Sequence, residues 1–275
     1  MARKLLRIFL IFLICVITIL WIYPLLLILF NSFKPYSAMM SDFLGLPDGI
    51  SFKMYADTWI KLGFERLFLN TFTYTLFSVV IVVLAASMAA YKLSRTKTRY
   101  SWAVFMLCIM PLMVPFQSYM ITLTHMAKNF GLTGSRAGLI LIYAGLYMPL
   151  ATFLYHGFIK TVPVQLDECA GIDGASGLRL FFRIIFPLLK PVTVTVIIID
   201  AIACWNDFMV QLLFVGGKKP LFNIQNALFL QFSNSYTDWE HALPGIIISL
   251  VPTVIFFISM QKHILAGVTA GAVKG

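Results

Sequence analysis

The chain has 275 residues, of which 60% are hydrophobic and only 12% are charged, and its mean hydropathy is +0.89. A soluble domain carries about 25% charged residues, so this composition excludes the soluble class and predicts an integral membrane protein. The net charge of +10 could suggest a nucleic-acid partner. In a membrane protein it more often reports the excess of Lys and Arg in cytoplasmic loops, and no nucleic acid is expected here.

Long apolar runs recur along the chain, each close to the ~20 residues that cross a hydrocarbon core of about 30 Å as a helix. None shows the period-2 alternation of a membrane-spanning strand, so an all-α protein is predicted. The first run is too long for the apolar region of a signal peptide and is interpreted as an uncleaved helix. Six membrane-spanning helices are predicted, at 8–30, 71–91, 101–124, 137–158, 191–209 and 243–261.

Basic residues between the predicted helices are distributed unevenly. Four of the eight residues at 92–99 are Lys or Arg, whereas 31–70 contains only four in a much longer segment. Because Lys and Arg accumulate on the cytoplasmic side, both termini and the loop 160–190 are predicted to face the cytoplasm.

Several kinds of chemistry have no sequence signal. The chain has no G-x-x-x-x-G-K-[ST] phosphate loop and no cluster of residues with metal-ligand spacing. An ion-coupled carrier should have several ionisable residues within its spans. In this chain only Asp200 is clearly such a residue. We therefore predict a pore-forming subunit that is not an enzyme, binds no cofactor and is driven by another protein.

The loop 160–190 has the pattern of two short helices with a glycine hinge. Pro163 is suited to the start of the first helix, and Gly174 to its end, with a positive φ. Ser176 can cap a second helix at 177–186, and Pro187 then redirects the chain. Such a rigid, partly apolar segment could dock into a groove of a partner or rest on lipid as an interfacial helix.

The loop also carries a recognisable motif. Glu168, Ala170, Gly174, Ile184 and Pro187 stand at the spacing E-A-A-x-x-x-G, nine residues, I-x-L-P. This resembles the coupling loop of permease subunits of ATP-binding cassette importers. The sequence departs from that pattern in having Cys where the second residue is Ala and Phe where the penultimate residue is Leu. Both substitutes are apolar and leave the spacing intact.

Three further stretches resemble the carbohydrate branch of that family. They are "NTFTYTLFSVVIVVLAASMAAYKLSR" at 70–95, "WNDF" at 205–208 and "GVTAGAVKG" at 267–275, the last similar to the tail of the maltose-type smaller permease. The resemblance covers nearly the whole chain. It implies a single permease domain over 1–275 with the type I importer fold, six helices and a cytoplasmic two-helix coupling loop.

The resemblance also implies partners and a location. The chain would work in a bacterial cytoplasmic (inner) membrane with a second permease, two ATP-hydrolysing subunits that use ATP and Mg, and an extracytoplasmic solute-binding protein. Its substrate would be a sugar, expected to be an oligosaccharide. An importer permease for a polyol or a glycerophosphodiester is the alternative, and a gradient-driven carrier is another.

Three groups of candidate site residues follow. The residues that the resemblance places in coupling to the ATPases are Asp167, Glu168, Ala170, Asp173, Gly174, Ile184 and Pro187. Those that it places in the tail that contacts the ATPases are Gly267, Gly271 and Lys274. Polar and aromatic side chains that could line a sugar path are Gln117, Tyr119, Tyr143, Tyr147, Asp200, Trp205, Asn206 and Asp207. The alternative for this last group is that the polar side chains hold helices together and that the tyrosines belong to an interfacial belt.

Overall fold

A computed structural model describes residues 2–172, 174–233 and 238–272, and side chains within 4–262 apart from residue 233. Asp173 and Lys274, both predicted site residues, lie outside the described residues. Regular structure in the described part is helical throughout. The helices are α1 Ala2–Asn31, α2 Tyr36–Ser41, α3 Lys53–Leu62, α4 Phe64–Arg95, α5 Arg99–Ile109, α6 Phe116–Asn129, α7 Arg136–Ile159, α8 Gln165–Ile172, α9 Gly177–Leu180, α10 Phe186–Leu188, α11 Lys190–Asn206, α12 Met209–Val215, α13 Ile224–Ser233 and α14 Trp239–Ala272.

Four of the helices, α1, α4, α7 and α14, are long and apolar enough to cross a membrane by themselves. Two bent pairs reach the required length and apolarity together, namely residues 99–113 with α6, and residues 177–188 with α11. The described residues therefore provide four spans, or six if each bent pair forms one span, as the sequence predicted.

The third predicted span is not one helix. It bends by 110° between Met113 and Phe116, so two helices cover the span predicted at 101–124. Val114 has an extended backbone, with φ −111° and ψ 119°. A residue that precedes proline is pushed out of the helical region by the proline ring, and Pro115 follows it.

The fifth predicted span is also shorter than expected. It enters through a 79° bend next to Leu189 and ends at Asn206, so the prediction of a helix to 209 is wrong. Asp207 has ψ 134°, and its carboxylate accepts the backbone N–H of Gln211 at 3.2 Å. That contact satisfies a donor at the start of α12, which makes Asp207 a junction between helices and not part of α11.

The chain divides into two compact units. The first comprises Met1–Glu65 and Ala227–Pro252. Within it, the buried Lys34 donates from Nζ to the carbonyl oxygens of Asp42 and Gly45, both at 2.6 Å. Lys61 and His241 contact the carboxylate of Asp238. Burial by itself would raise the pKa of Asp238, but these hydrogen bonds hold it below its ordinary value.

The second unit comprises Arg66–Asn226 and Thr253–Gly275, and it contains most of the predicted site residues. Its core joins α4, α7, the coupling loop and α11. The fully buried members of that core, all below 2% exposed, are Val82, Ala86, Ala90, Ala151, Tyr155, Ile159, Ile185, Leu189 and Val196.

Candidate functional site

The first arm of the loop, α8, is tied to α4 by Asp167. Its Oδ1 accepts the hydroxyl hydrogen of Tyr91 at 2.8 Å, and its Oδ2 lies 2.7 Å from Nε of Arg95. Their side chains are only 14% exposed for Asp167 and 15% for Arg95. Asp167 is therefore held by its own chain and does not present its charge to solvent.

The end of α8 has the predicted glycine geometry. Gly174 has φ +77°, a left-handed value that strains residues with a side chain. The backbone N–H of Ala175 bonds the carbonyl of Ala170 at 2.9 Å, and the Ala170 side chain is buried. The prediction that Gly174 ends this helix with a positive φ is confirmed.

Glu168 differs from its neighbour Asp167. Its side chain is exposed, and in the described part of the chain no cation pairs with its carboxylate. The carboxylate of Glu168 is thus accessible from outside the chain. This is the charge that the resemblance assigns to coupling, and its role stays a prediction.

The second arm of the loop is helical over Gly177–Leu188, which covers the helix expected at 177–186, but its winding changes along its length. Ser176 has an extended backbone, but its side chain makes no capping hydrogen bond, so the predicted cap is wrong. The α-helix runs only over α9, and a π-helical turn follows at Phe181–Ile185. Pro187 lies just beyond this turn, and its missing N–H leaves the carbonyl four residues earlier without the usual helical donor.

The two remaining predicted coupling residues take different positions. Ile184 is half-buried and packs against the core of the unit, whereas Pro187 is exposed. The loop also exposes a group of apolar side chains, which we name the loop surface. It consists of Val164, Leu166, Ile172, Leu178 and Phe182, with exposed fractions between 40% and 86%.

Asp200 is the central residue of the predicted sugar path. It is 2% exposed, lies on α11, and its Oδ2 has no hydrogen-bond partner among the described residues. Nε1 of Trp205 is likewise buried and unpaired there, and the buried hydroxyl of Thr75 on α4 faces the thiol of Cys204. The rings of Phe68 and Trp205 are 5.6 Å apart, which places α4 beside α11 at this level.

The unpaired atoms of Asp200 and Trp205 are chemically notable because buried polar groups are normally hydrogen-bonded. The carboxylate of Asp200 accepts hydrogen bonds, the indole N–H of Trp205 donates them, and the hydroxyl of Thr75 can do both. Sequence reasoning missed Thr75. The sequence signal for Thr75 was its spacing from Phe68. Because Thr75 lies seven residues after Phe68, the two side chains share a face of α4.

Residues of the WNDF segment make different kinds of contact. The hydroxyl of Tyr143 donates to Oδ2 of Asp207 at 2.9 Å, and the Tyr143 and Tyr147 rings stack with centroids 5.9 Å apart. Among the described residues, Asn206 donates within its own helix, to the carbonyl of Ile202 at 2.9 Å. The contacts of Asp207 hold helices together, and α11 ends one residue before it, so Asp207 does not lie on the helix that carries Asp200.

The predicted residues of the third span lie on α6, beyond the 110° bend. Gln117 is exposed, and Tyr119 is half-buried with its ring 5.5 Å from that of Phe116. Among the contacts that the structure describes, none joins either side chain to Asp200. Their place in a sugar path stays a prediction.

A buried polar network at one end of α4 was also missed. Asn70 donates to the carbonyls of Pro220 and Phe222, both at 2.9 Å, and its Oδ1 accepts from Arg136 at 3.0 Å. The hydroxyl of Tyr74 donates to the carbonyl of Leu221 at 2.9 Å. This end of α4 therefore holds the backbone of the segment between α12 and α13.

The same segment is held from its other side by amide side chains. Gln211 donates to the carbonyl of Leu221 at 2.8 Å and accepts from Asn226 at 3.1 Å. Asn223 donates to the backbone carbonyl of Asp207 at 2.7 Å. Each buried amide thus has a partner on a neighbouring element, which makes this a structural network.

Comparison with known proteins agrees with the architecture. The family described as "Binding-protein-dependent transport system inner membrane component" matches residues 81–268. The chain belongs to this family. It is thus a multi-pass inner-membrane component of a transport system, and the recognition of an importer permease is confirmed.

Similar proteins within this family match over almost their full length. The chain is 35% identical to the probable starch degradation products transport system permease protein AmyC of Thermoanaerobacterium thermosulfurigenes, over 94% of each chain. It is also 35% identical to the melibiose/raffinose/stachyose import permease protein MelC of Bacillus subtilis, over 92% of this chain and 91% of the relative.

A solved structure confirms the fold. A chain of a bacterial ABC transporter involved in the import of the acidic polysaccharide alginate superposes with a TM-score of 0.82 at 22% identity, covering 95% of this chain and 97% of that one. The predicted all-α importer permease fold is therefore confirmed. That the whole chain forms one domain stays a prediction.

The tail of this permease is described in part. The last helix, α14, continues to Ala272, so Gly267 and Gly271 fall on its backbone. Lys274 falls outside the described residues. Contact of this tail with an ATPase stays a prediction that follows from the resemblance.

Proposed function

We propose that this chain is one of two permease subunits of an ATP-binding cassette importer for a neutral oligosaccharide. The observation that carries the proposal is the pair of relatives named for starch degradation products and for melibiose, raffinose and stachyose, each 35% identical over more than nine-tenths of the chain.

The buried polar atoms on α4 and α11 are consistent with this substrate class. Sugar hydroxyls can donate to Asp200, and a charged acceptor makes such hydrogen bonds stronger. Trp205 offers an indole N–H to a hydroxyl oxygen. An intramembrane carboxylate is costly unless it faces water, a partner or a ligand path, so Asp200 is the residue we assign to the substrate.

The charges in the unit favour a neutral substrate over an anionic one. The midsections of α4, α7 and α11 contain no Lys or Arg, and recognition of a phosphate group relies on such cations. A glycerophosphodiester therefore fits this path less well than a neutral sugar. A polyol is also neutral, but it is smaller than an oligosaccharide and has no sugar ring, and the transport test separates the two.

The coupling loop supplies the link to energy. The proposed complex contains two ATPase subunits that bind ATP and Mg, and the loop surface and Glu168 of this chain dock into a groove of an ATPase, while this chain itself binds no cofactor. An extracytoplasmic binding protein delivers the sugar, and the termini and the loop lie on the cytoplasmic side of the bacterial membrane. A rigid segment held in a cleft moves when the cleft closes.

The test is transport by the reconstituted complex. The complex that co-purifies with this chain is placed in vesicles with its binding protein, and uptake of radiolabelled raffinose, maltotriose, sorbitol and glycerophosphocholine is compared. We expect uptake of an oligosaccharide that requires ATP on the loop side and survives ionophores that collapse ion gradients. Uptake by this chain without ATPases, or uptake of only the polyol or the phosphodiester, would overturn the proposal.

A further inference from the structure

We propose that Arg95 and Tyr91 are positioning residues that fix the coupling loop to α4, so that movement of the loop is transmitted along α4. The inference rests on the function proposed above. It assigns a role to two residues that the family motif does not include.

The first argument is the geometry around Asp167. Its Oδ1 accepts a hydrogen bond from the hydroxyl of Tyr91 at 2.8 Å, and its Oδ2 forms an ion pair with the guanidinium of Arg95, whose Nε lies 2.7 Å away. Arg95 also donates from a terminal nitrogen to the carbonyl of Val162 at 3.1 Å. The guanidinium of Arg95 therefore contacts both α8 and the segment that precedes α8.

The second argument is that Tyr91 touches both arms of the loop. Its hydroxyl bonds Asp167 on α8, and its ring lies 5.5 Å from the ring of Phe181 in the π-helical turn. Phe181 is 3% exposed, so this is a packed contact. Because the hinge glycines between the two arms favour freedom of the backbone, a side chain that contacts both arms keeps them in one arrangement.

The third argument is the continuity of α4. It is a helix of 32 residues without proline, and from Thr71 to Arg95 it extends over about 36 Å at ~1.5 Å per residue. At the far end, Asn70 and Tyr74 hold the backbone of Pro220, Leu221 and Phe222. A rigid helix with bonded contacts at both ends can carry a displacement from one to the other.

The experiment measures how many ATP molecules are hydrolysed for each sugar imported by the reconstituted complex. Arg95→Gln removes the charge and keeps much of the side-chain length. Lys92→Gln, at an exposed cation one turn earlier on the same helix, is the matched control. We expect Arg95→Gln to raise the ATP-to-sugar ratio roughly three- to tenfold, which lies at the lower end of the effects seen for groups in contact, and Lys92→Gln to leave the ratio unchanged.

Two further variants separate positioning from folding. Tyr91→Phe keeps the ring against Phe181 and removes only the hydroxyl, and we expect it to raise the ratio while the complex assembles in normal amounts. Exchange of the pair, Arg95→Asp with Asp167→Arg, should bring the ratio back toward the wild-type value. An effect on folding alone would lower the yield of complex and leave the ratio of the remaining complex unchanged.

The outcomes distinguish this inference from the proposed function. If the wild-type complex imports no sugar with ATP, the proposed function is wrong and this inference is wrong with it. If wild-type import requires ATP but both Arg95→Gln and Tyr91→Phe keep the wild-type ratio, the proposed function stands and the positioning role is wrong.

Discussion

Tyr143 donates a 2.9 Å hydrogen bond to Asp207, and this bond joins the middle of α7 to the residue at which α11 has ended. The same carboxylate accepts the N–H of Gln211 at 3.2 Å, so it also fixes the start of α12. Two residues that the sequence offered for a sugar path are thereby satisfied by their own protein.

Replacement of Tyr143 by Phe should therefore lower stability and leave sugar affinity unchanged. Loss of one hydrogen bond typically costs about 1 kcal/mol, which a thermal denaturation of the purified complex in detergent can detect as a lower Tm. The control is Tyr147→Phe, since the described contacts of Tyr147 include a ring stack but no hydrogen bond of its hydroxyl. A normal Tm with weakened sugar uptake in Tyr143→Phe would place this residue in the path after all.

Asp200 should behave in the opposite way. Because its Oδ2 has no partner among the described residues, Asp200→Leu should leave assembly and basal ATP hydrolysis intact. Sugar uptake should fall roughly tenfold or more, as expected for loss of a hydrogen bond to a charged group. The fall is measured as the rate of sugar uptake at several sugar concentrations.

The control for Asp200→Leu lies on the same helix. Thr195→Val removes a hydroxyl that bonds the carbonyl of Pro191 in its own turn at 3.2 Å, and it should leave uptake unchanged. Failure of the Asp200→Leu complex to assemble would show that the carboxylate holds the structure together and does not serve the sugar.

The loop variants Gly174→Val and Glu168→Lys should uncouple ATP hydrolysis from sugar uptake, while the chain stays in the membrane. Gly174 has φ +77°, and an added Cβ would meet nothing within 4 Å. The expected strain of about 1–3 kcal/mol thus comes from the backbone alone. Co-purification of ATPase subunits is measured together with sugar uptake in the same cells.

Gly174→Asn is the control for backbone strain, because Asn tolerates a positive φ better than a β-branched residue. It should retain most of the coupling that Gly174→Val loses. Wild-type co-purification and uptake in Gly174→Val would contradict the coupling role of the loop.

Topology can be tested by labelling single cysteines in intact cells. Asp48→Cys should react with a reagent that does not cross the membrane, and Lys97→Cys should not, because the density of basic residues places 92–99 on the cytoplasmic side. Both positions are exposed, so access to the reagent decides the outcome. The reverse pattern would invert the orientation. The native cysteines to be replaced first are Cys15, Cys108, Cys169 and Cys204.

The tail can be tested by deletion. Residues 267–275 are small and almost uncharged, and Gly267 and Gly271 permit close approach of another backbone. Removal of 267–275 should change the stimulation of ATP hydrolysis by the loaded binding protein while the amount of complex stays normal. Unaltered rates of hydrolysis and uptake would refute a contact with the ATPase.

Local properties of the chain were predictable from the sequence. The apolar segments were found because span length depends only on consecutive residues. The positive φ of Gly174 was predicted because helix termination depends on the residue at that one position. The bend at Pro115 had a signal in the proline itself, but its angle of 110° had none.

Pairings between distant residues were decided by the tertiary structure alone. Tyr91 and Asp167 are 76 positions apart, and Asn70 and Pro220 are 150 apart. Membrane helices are apolar on most of their faces, so hydrophobic periodicity does not indicate which face meets which neighbour. The sequence by itself therefore determined the family, the spans and the shape of the coupling loop. Packing decided that the carboxylate of Asp207 is held by the protein, whereas Oδ2 of Asp200 has no hydrogen-bond partner among the described residues.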